Sequence, residues 1–288
     1  MKRTGSLILA IVMVIAIAAS MVGCTPAAKL NFGKELLGVT SQLDALQGLK
    51  KGDADIAVID SVMAGYYMNQ TEEFKDYQVL ENVVFAEEQY GIAAKKGNEA
   101  LMSKINEGLI ALAGNGGMTE VATTFGLQSE LLVTANTTNP YADATDSSWN
   151  DVVSDGKLVI GYTVFAPIAY EENETLTGFD TELAKAVVAY LNATYTLSIE
   201  VDFQIIEWKA KETLLENGTI DLVWNGMTIT PDREAQMCIS VPYLMNRQVA
   251  VVATAELSKY TTKDDFKKAI IAVESGSAGE SVVKGSEE

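Results

Sequence analysis

The apolar run at residues 220–224, which breaks at the dipeptide Asn225-Gly226, constrains the fold of this chain more than any other feature. Near-continuous apolar runs of this length are typical of strands that are buried on both faces, as in a parallel sheet. In an open α/β sheet the ligand crevice lies just beyond the carboxyl ends of such strands. We therefore predict an α/β fold with a ligand site that begins at Asn225.

A cation and several hydrogen-bond donors follow this break. Arg233 lies within a short polar turn, and a guanidinium can hold a carboxylate by two parallel hydrogen bonds. The Gly226 amide and the Thr228 hydroxyl can then fill the remaining acceptor sites of that carboxylate. The alternative is that Arg233 forms a surface ion pair and that Thr228 and Thr230 only cap the next helix. The first interpretation predicts a site for a small anion.

The residue order around this site resembles a known family. The sequence GMTITPDR at residues 226–233, followed by Ser240, Pro242 and Tyr243, is similar to the signature of the extracellular solute-binding proteins that serve polar amino-acid ABC transporters. The resemblance implies a two-lobed, periplasmic-binding-protein-like (type II) α/β fold with a two-crossover hinge. It also implies a receptor that binds a free polar amino acid in the interlobe cleft by hinge closure and delivers it to an ABC transporter permease.

The segments that carry the resemblance occur in an unexpected order. The family's first segment resembles residues 157–187 and those that follow, whereas its last segment resembles residues upstream of the midpoint, ending near Leu127. Joining Glu288 to the region of Leu30 restores the usual order, so we interpret the chain as a circularly permuted monomer. A swapped dimer is the alternative, and the length of the linker favours the monomer. The predicted division is signal peptide 1–23, tether 24–29, lobe 2 at 30–88 and 248–288, lobe 1 at 91–131 and 152–246, and linker 132–151.

The resemblance implies ligand contacts from both lobes. Asp60 ends the apolar run DIAVID, and its counterpart in the family receives the α-ammonium of the ligand, while Arg233 would hold the α-carboxylate. Phe165 and Trp208 match the two family aromatics that sandwich the ligand side chain. The alternatives are that Asp60 only forms a turn and that the two aromatic residues pack in the core.

A loop before a helix supplies the rest of the predicted site. The sequence SGSAG at residues 275–279 lies between an apolar strand and a helix, so its amides can face a carboxylate. Glu274 precedes this loop, and with Asn225 it would suit an amide or a cationic group on the ligand; the alternative is a solvated carboxylate. We interpret Asp180 as a helix N-cap. The predicted ligand-binding residues are Arg233, Asp60, Thr228, Gly226, Asn225, Phe165, Trp208, Glu274, Ser277, Ala278 and Gly279.

The N-terminal residues predict where the protein acts. Residues 1–3 are positively charged at two positions, residues 7–19 are apolar, and MVGC at residues 21–24 resembles the lipobox of bacterial lipoproteins. The apolar run is shorter than the roughly 20 residues that span a bilayer. We therefore predict cleavage before Cys24 and a lipid on Cys24 that anchors the protein to the extracytoplasmic side of the cell membrane. An uncleaved signal anchor is the alternative.

Charge and composition exclude several classes of function. The 21 basic and 39 acidic residues give a formal charge of −18, which repels nucleic acid, so no nucleic-acid partner is predicted. The chain has no histidine, and Cys238 is its only cysteine besides Cys24. Metal sites built on imidazole or paired cysteines and the common Ser-His nucleophiles are thereby excluded, and we predict no metal, no cofactor and no catalysis. The alternatives are a fold-related dehydratase-like enzyme with Glu274 as acid or base, and a non-transport amino-acid sensor module.

Overall fold

The computed structural model describes residues 30–285. The predicted signal peptide, the tether and the lipidation site Cys24 lie outside these residues. Within the described part of the chain, no helix has both the length and the apolar character needed to span a bilayer.

The described residues form a mixed sheet with helices on its faces. The strands are β1 (Glu35–Val39), β2 (Ile56–Asp60), β3 (Tyr77–Lys95), β4 (Lys157–Tyr162), β5 (Tyr170–Glu172), β6 (Thr175–Thr177), β7 (Glu200–Ile205), β8 (Leu222–Thr228), β9 (Met237–Ile239), β10 (Leu244–Ala253) and β11 (Ile270–Glu274). The α-helices are α1 (Gln42–Lys51), α2 (Ser61–Gln70), α3 (Glu99–Asn115), α4 (Gly117–Thr124), α5 (Ser148–Asp155), α6 (Phe179–Tyr195), α7 (Lys211–Glu216), α8 (Pro231–Gln236) and α9 (Ala278–Lys284). Short 3-10 turns occur at Gln128–Glu130, Trp208–Ala210, Thr254–Lys259 and Lys263–Lys268.

Two long antiparallel strands, β3 and β10, divide the main sheet into two lobes. The strand order is β1-β11-β2-β10-β3-β8-β4-β7, with β9 paired to β3. We call the side with the parallel strands β1, β11 and β2 lobe 2, and the side with the parallel strands β8, β4 and β7 lobe 1. The α/β, two-lobed fold class is confirmed. Because β3 and β10 pair along most of their length, they are the crossovers between the lobes.

Strand β8 ends later than the sequence predicted. The strand does not stop at Asn225-Gly226 but runs on to Thr228, and all seven of its residues are buried. Its pairing with β3 is irregular at this point, because Met227 faces Gly91 while Val223 faces Ala93. Gly226 has φ of 59°, a backbone angle that glycine adopts without the steric cost other residues bear. The glycine therefore makes a bulge within the strand instead of ending it.

The carboxyl ends of two parallel strands in lobe 2 meet at one edge of the sheet. Helix α1 is capped by Ser41, whose hydroxyl accepts from the Asp44 amide at 3.1 Å, and it ends at Gly52 with φ of 80°. The chain then enters β2, all five residues of which are buried, and Asp60 is the last of them. Strand β11 lies beside β2 and ends at Glu274. Two carboxyl groups are thereby placed at the crevice edge.

The segment predicted as a linker is packed against lobe 1. Helix α5 begins at Ser148, inside the predicted range 132–151, because Asp146 accepts hydrogen bonds from the Ser148 amide at 3.0 Å and starts the helix there. The Asn139 side chain donates to the Ser103 carbonyl of α3 at 3.0 Å. The segment thus crosses the surface of lobe 1 along a fixed path.

Candidate functional site

The predicted ligand residues surround one cavity between the lobes, with an empty volume of about 280 Å³. Every predicted ligand residue except Gly279 lines it. Three further lining residues, Gln42, Thr163 and Gln248, were not predicted. The residues that line it from lobe 1 are Thr163, Phe165, Trp208, Asn225, Gly226, Thr228 and Arg233, and from lobe 2 and the crossover they are Gln42, Asp60, Gln248, Glu274, Ser277 and Ala278.

Arg233 is held at the cavity by the start of α8. Thr230 is the N-cap of this helix, with its hydroxyl accepting from the Arg233 amide at 3.3 Å, and Pro231 occupies the first turn, where a missing N–H costs nothing. The Arg233 guanidinium donates to the Thr228 carbonyl at 2.7 Å and to the Gly276 carbonyl of lobe 2 at 3.2 Å. The cation therefore lies where the two lobes meet.

The donors predicted to complete an anion site are engaged with carboxyl groups of the protein. The Thr228 hydroxyl donates to Glu88 at 3.0 Å, and the Gly226 amide donates to Asp180 at 2.7 Å. The interpretation of Asp180 as an N-cap is wrong, since Gly178 occupies that position. The Asp180 carboxyl lies inside α6, is buried, and also accepts from the Tyr243 hydroxyl at 2.7 Å. Burial raises the pKa of Asp180 to about 7.

Replacing Gly226 by alanine is expected to lower the free energy of unfolding by about 2–5 kcal/mol, the sum of a left-handed backbone cost and an overpacking cost. An added Cβ would lie 2.8 Å from a ring carbon of Phe165 and 2.9 Å from one of Tyr90. The matched control is Gly218→Ala, because Gly218 has φ of 73° but nothing within 4 Å of such a Cβ. Urea denaturation of both variants measures the difference. Equal losses would show that the aromatic packing around Gly226 is unimportant.

Asp60 is buried and surrounded by amide side chains. Its carboxylate accepts from the side chains of Gln42, Asn246 and Gln248, and its own amide donates to Gln42 at 2.9 Å. Burial, and then the neighbouring Glu88 charge, raise the pKa of Asp60 to about 7. An aspartate that only formed a turn would not need such a shell of buried donors.

Glu88 is a buried carboxyl group that sequence reasoning missed. It lies on the crossover strand β3, opposite Asn246 of β10, and its Oε2 accepts from Asn246 and Gln248, at 3.0 Å in each case. The same two amides also donate to Asp60, so one network joins lobe 2 to the hinge. Burial raises the pKa of Glu88. The available signal was the pair of amides, Asn246 and Gln248, which alternate with the exposed Arg247 at the start of β10 and therefore face the interior.

Glu274 of lobe 2, which lines the cavity, and Lys211 of lobe 1, which lies behind the lining residues, are both buried ionisable residues. Glu274 is 4% exposed and Lys211 is 2% exposed. Burial, and then the Asp60 charge, raise the pKa of Glu274 to about 8, although Lys211 and Arg233 oppose the shift. Burial, and then Arg233, lower the pKa of Lys211 to about 8. The Lys211 ammonium donates to the Gly276 carbonyl at 3.3 Å, which makes a second contact between the lobes.

The two predicted aromatic residues line the cavity from lobe 1. Phe165 is in a tight turn, where its amide donates to the Ala169 carbonyl at 2.7 Å, and its ring lies 6.5 Å from that of Tyr90. Trp208 begins a 3-10 turn, and the Lys211 ammonium lies 4.8 Å from the centre of its ring. Both side chains are buried apart from the face that meets the cavity.

The loop after β11 contributes fewer ligand donors than predicted. Ser277 is the N-cap of α9, and its hydroxyl accepts from the Glu280 amide at 3.1 Å. The Gly276 amide donates to the Glu280 carboxylate at 2.8 Å. Gly279 does not line the cavity; it lies behind it, where an added Cβ would be 2.9 Å from the Gln248 side-chain oxygen. Ser277 and Ala278 remain at the cavity wall.

Part of the chain is similar to proteins of known function. Residues 158–277 match the sequence profile of the bacterial extracellular solute-binding proteins, family 3. The probable ABC transporter extracellular-binding protein YckB of Bacillus subtilis is 26% identical over 142 residues, which are 48% of this chain and 47% of that protein. The arginine-binding extracellular protein ArtP of Bacillus subtilis is 32% identical over 126 residues, 43% of this chain and 46% of that protein.

A solved structure adds one further likeness. The substrate-binding protein of a polar amino acid ABC uptake transporter from Streptococcus thermophilus is 39% identical, with 34% of this chain and 35% of that chain covered and a TM-score of 0.27. The matched part of this chain spans about half the length of the two Bacillus relatives. Through residues 158–277, this chain is similar to the bacterial extracellular solute-binding proteins, family 3.

Proposed function

We propose that this protein is an extracytoplasmic receptor that binds a polar amino acid between its lobes and closes around it. The observation that carries the proposal is that Arg233 from lobe 1 and the buried Asp60 from lobe 2 line one cavity. A free amino acid carries a carboxylate and an ammonium on the same carbon, and these two side chains are complementary to that pair. The relatives are named as binding proteins, one of them for arginine.

In this proposal Arg233 holds the α-carboxylate. A guanidinium has five N–H donors, so its contacts with the Thr228 and Gly276 carbonyls are compatible with a bound carboxylate. Asp60 accepts from the α-ammonium, and the ammonium compensates for the burial that disfavours the ionised carboxyl group. Phe165 and Trp208 cover the aliphatic part of the ligand side chain.

Contacts between the two lobes also support their closure around the ligand. The Gly276 carbonyl of lobe 2 accepts from both Arg233 and Lys211 of lobe 1, and these hydrogen bonds form only when the lobes are together. A ligand that touches both lobes adds contacts to the closed state alone, so its binding shifts the population toward that state. The crossover strands β3 and β10 are the proposed hinge.

Further parts of the proposal concern the whole protein. We propose that Cys24 carries a lipid, that the receptor delivers its ligand to an ABC permease, and that one chain forms both lobes as a permuted monomer, divided as predicted from the sequence. The parallel pairing of β11 with β1 supports the permuted order, because it joins the two segments whose order differs from that of the family. The proposed role is binding, not catalysis.

The direct test is a thermal-shift screen of the protein against the twenty amino acids, followed by calorimetry. A ligand at 100 times its Kd stabilises by about 2.7 kcal/mol, which raises Tm by about 5 °C or more in a protein of this size. We expect polar amino acids to give such a shift and to be recovered unchanged. If no amino acid raises Tm, or if the ligand is converted to a product, the receptor proposal is wrong.

A further inference from the structure

Glu274 is a buried carboxyl group at the cavity, and one of its oxygens has no hydrogen-bond partner among the described residues. We infer that Glu274 selects the ligand by its side chain and that the receptor takes an amino acid with a second, cationic group, of the arginine or lysine type. This inference rests on the proposed function, because it assigns the chemistry of the ligand in the same cavity.

The position of Glu274 fits a subsite separate from the α-ammonium. Strands β2 and β11 are adjacent and parallel, with Ile271 beside Ile56 and Ala272 beside Ala57, and they end at Asp60 and Glu274. Both side chains line the same cavity, and the Asp60 charge helps to raise the pKa of Glu274, so the two carboxyl groups lie near each other along the cavity wall. A ligand whose ammonium meets Asp60 therefore presents its side chain within reach of Glu274.

Glu274 has an unsatisfied oxygen. The residue is only 4% exposed, and its Oε1 atom has no hydrogen-bond partner among the described residues. Buried polar atoms are nearly always paired, and an unpaired one costs about 1–3 kcal/mol. Asp60, by contrast, is surrounded by amide donors from Gln42, Asn246 and Gln248. Because Glu274 lines the cavity, a bound ligand is in position to supply the missing donor.

The charges at the cavity favour a cationic donor over a neutral amide. The lining residues include two carboxyl groups, Asp60 and Glu274, and one guanidinium, Arg233. Behind them, the buried Lys211 ammonium is already paired with the Glu212 carboxylate at 3.0 Å. When Glu274 is ionised, a zwitterion with a neutral side chain leaves its negative charge uncompensated, whereas a cationic side chain balances it. An amide N–H would satisfy the Glu274 oxygen but would leave that charge buried and unpaired.

The test compares each cationic amino acid with a neutral one of similar shape. Calorimetry would measure L-arginine against L-citrulline, and L-lysine against L-norleucine, on the wild-type protein and on Glu274→Gln, which keeps the shape and removes the charge. The matched control is Glu207→Gln, because Glu207 is an exposed residue next to Trp208 and its loss changes the net charge equally.

We expect the wild type to bind at least one cation roughly 30-fold or more tightly than its neutral counterpart, since losing a buried charge partner has an effect of that size. The difference should disappear in Glu274→Gln and persist in Glu207→Gln. A wild type that binds citrulline as tightly as arginine and norleucine as tightly as lysine overturns the inference but leaves the receptor proposal intact. This comparison on the wild type is decisive even if Glu274→Gln does not fold. Failure to bind any amino acid overturns both.

Discussion

Replacing Arg233 by alanine is expected to weaken amino-acid binding by about 2–5 kcal/mol, or roughly 30- to 5,000-fold. In the proposed complex, the variant lacks the bidentate partner of the ligand carboxylate and leaves that carboxylate buried without a cation. It also loses the hydrogen bond from the guanidinium to the Gly276 carbonyl, so the closed state becomes less favourable. Isothermal titration calorimetry of the ligand found in the screen measures the change.

Two further variants make this experiment specific. Arg233→Lys keeps the charge but not the planar fork, so we expect a loss smaller than that of alanine. Arg247→Ala removes an exposed arginine of the crossover strand β10 and changes the net charge equally, and we expect near-normal affinity. If Arg233→Ala folds and binds with wild-type affinity, the carboxylate is not held by this residue and the site assignment is wrong.

The ligand-free protein is expected to lose several kcal/mol of stability as the pH rises from about 5 to 8, at 1.36 kcal/mol for each unit of pKa difference. The folded-state pKa is raised to about 7 for Asp60 and Asp180 and to about 8 for Glu274. In the unfolded chain these groups ionise near their ordinary values. At pH values between the unfolded-state and the folded-state pKa, the folded state binds more protons than the unfolded state. The free energy of unfolding therefore falls as the pH rises through this interval.

The pKa of Lys211 shifts in the opposite direction and affects the free energy of unfolding at higher pH. Its folded-state pKa is lowered to about 8, so the unfolded state binds more protons only above that pH, and there its contribution to stability increases with pH. Asp180→Asn removes one of the raised acids and is expected to flatten the curve between pH 5 and 7. Urea denaturation at fixed ionic strength measures the slope. A stability that is constant or that increases over this range would mean that the buried carboxyl groups are already ionised and paired.

The sequence was sufficient to predict the class of fold and most of the cavity wall. Five predicted residues line one cavity, because each lies at or beyond the end of an apolar run and parallel strands bring such ends together. They are Arg233, Asp60, Phe165, Trp208 and Glu274. Lys211 and Glu88 could not be found in this way. Their burial depends on the register of two crossover strands and on contacts between lobes that lie far apart in the chain.

The errors also have local causes. Asn225-Gly226 has the composition of a strand end, but β8 stays paired with β3 on both sides of the bulge and so continues to Thr228. Asp180 has the type and spacing of an N-cap. The chain instead enters α6 at Gly178, which has φ of 124° and lies against the Ile168 carbonyl, where an added Cβ would be 2.4 Å away. That entry turns Asp180 inward, toward the Gly226 amide.

A crystal structure of the protein with its amino acid tests the central claim most directly. The account predicts the α-carboxylate of the ligand at about 2.7–2.9 Å from the Arg233 guanidinium and the α-ammonium at a similar distance from the Asp60 carboxylate, as in other charge-assisted hydrogen bonds. One ligand would then join the two lobes in a single cavity. A ligand bound in reverse, or bound away from both side chains, would contradict it.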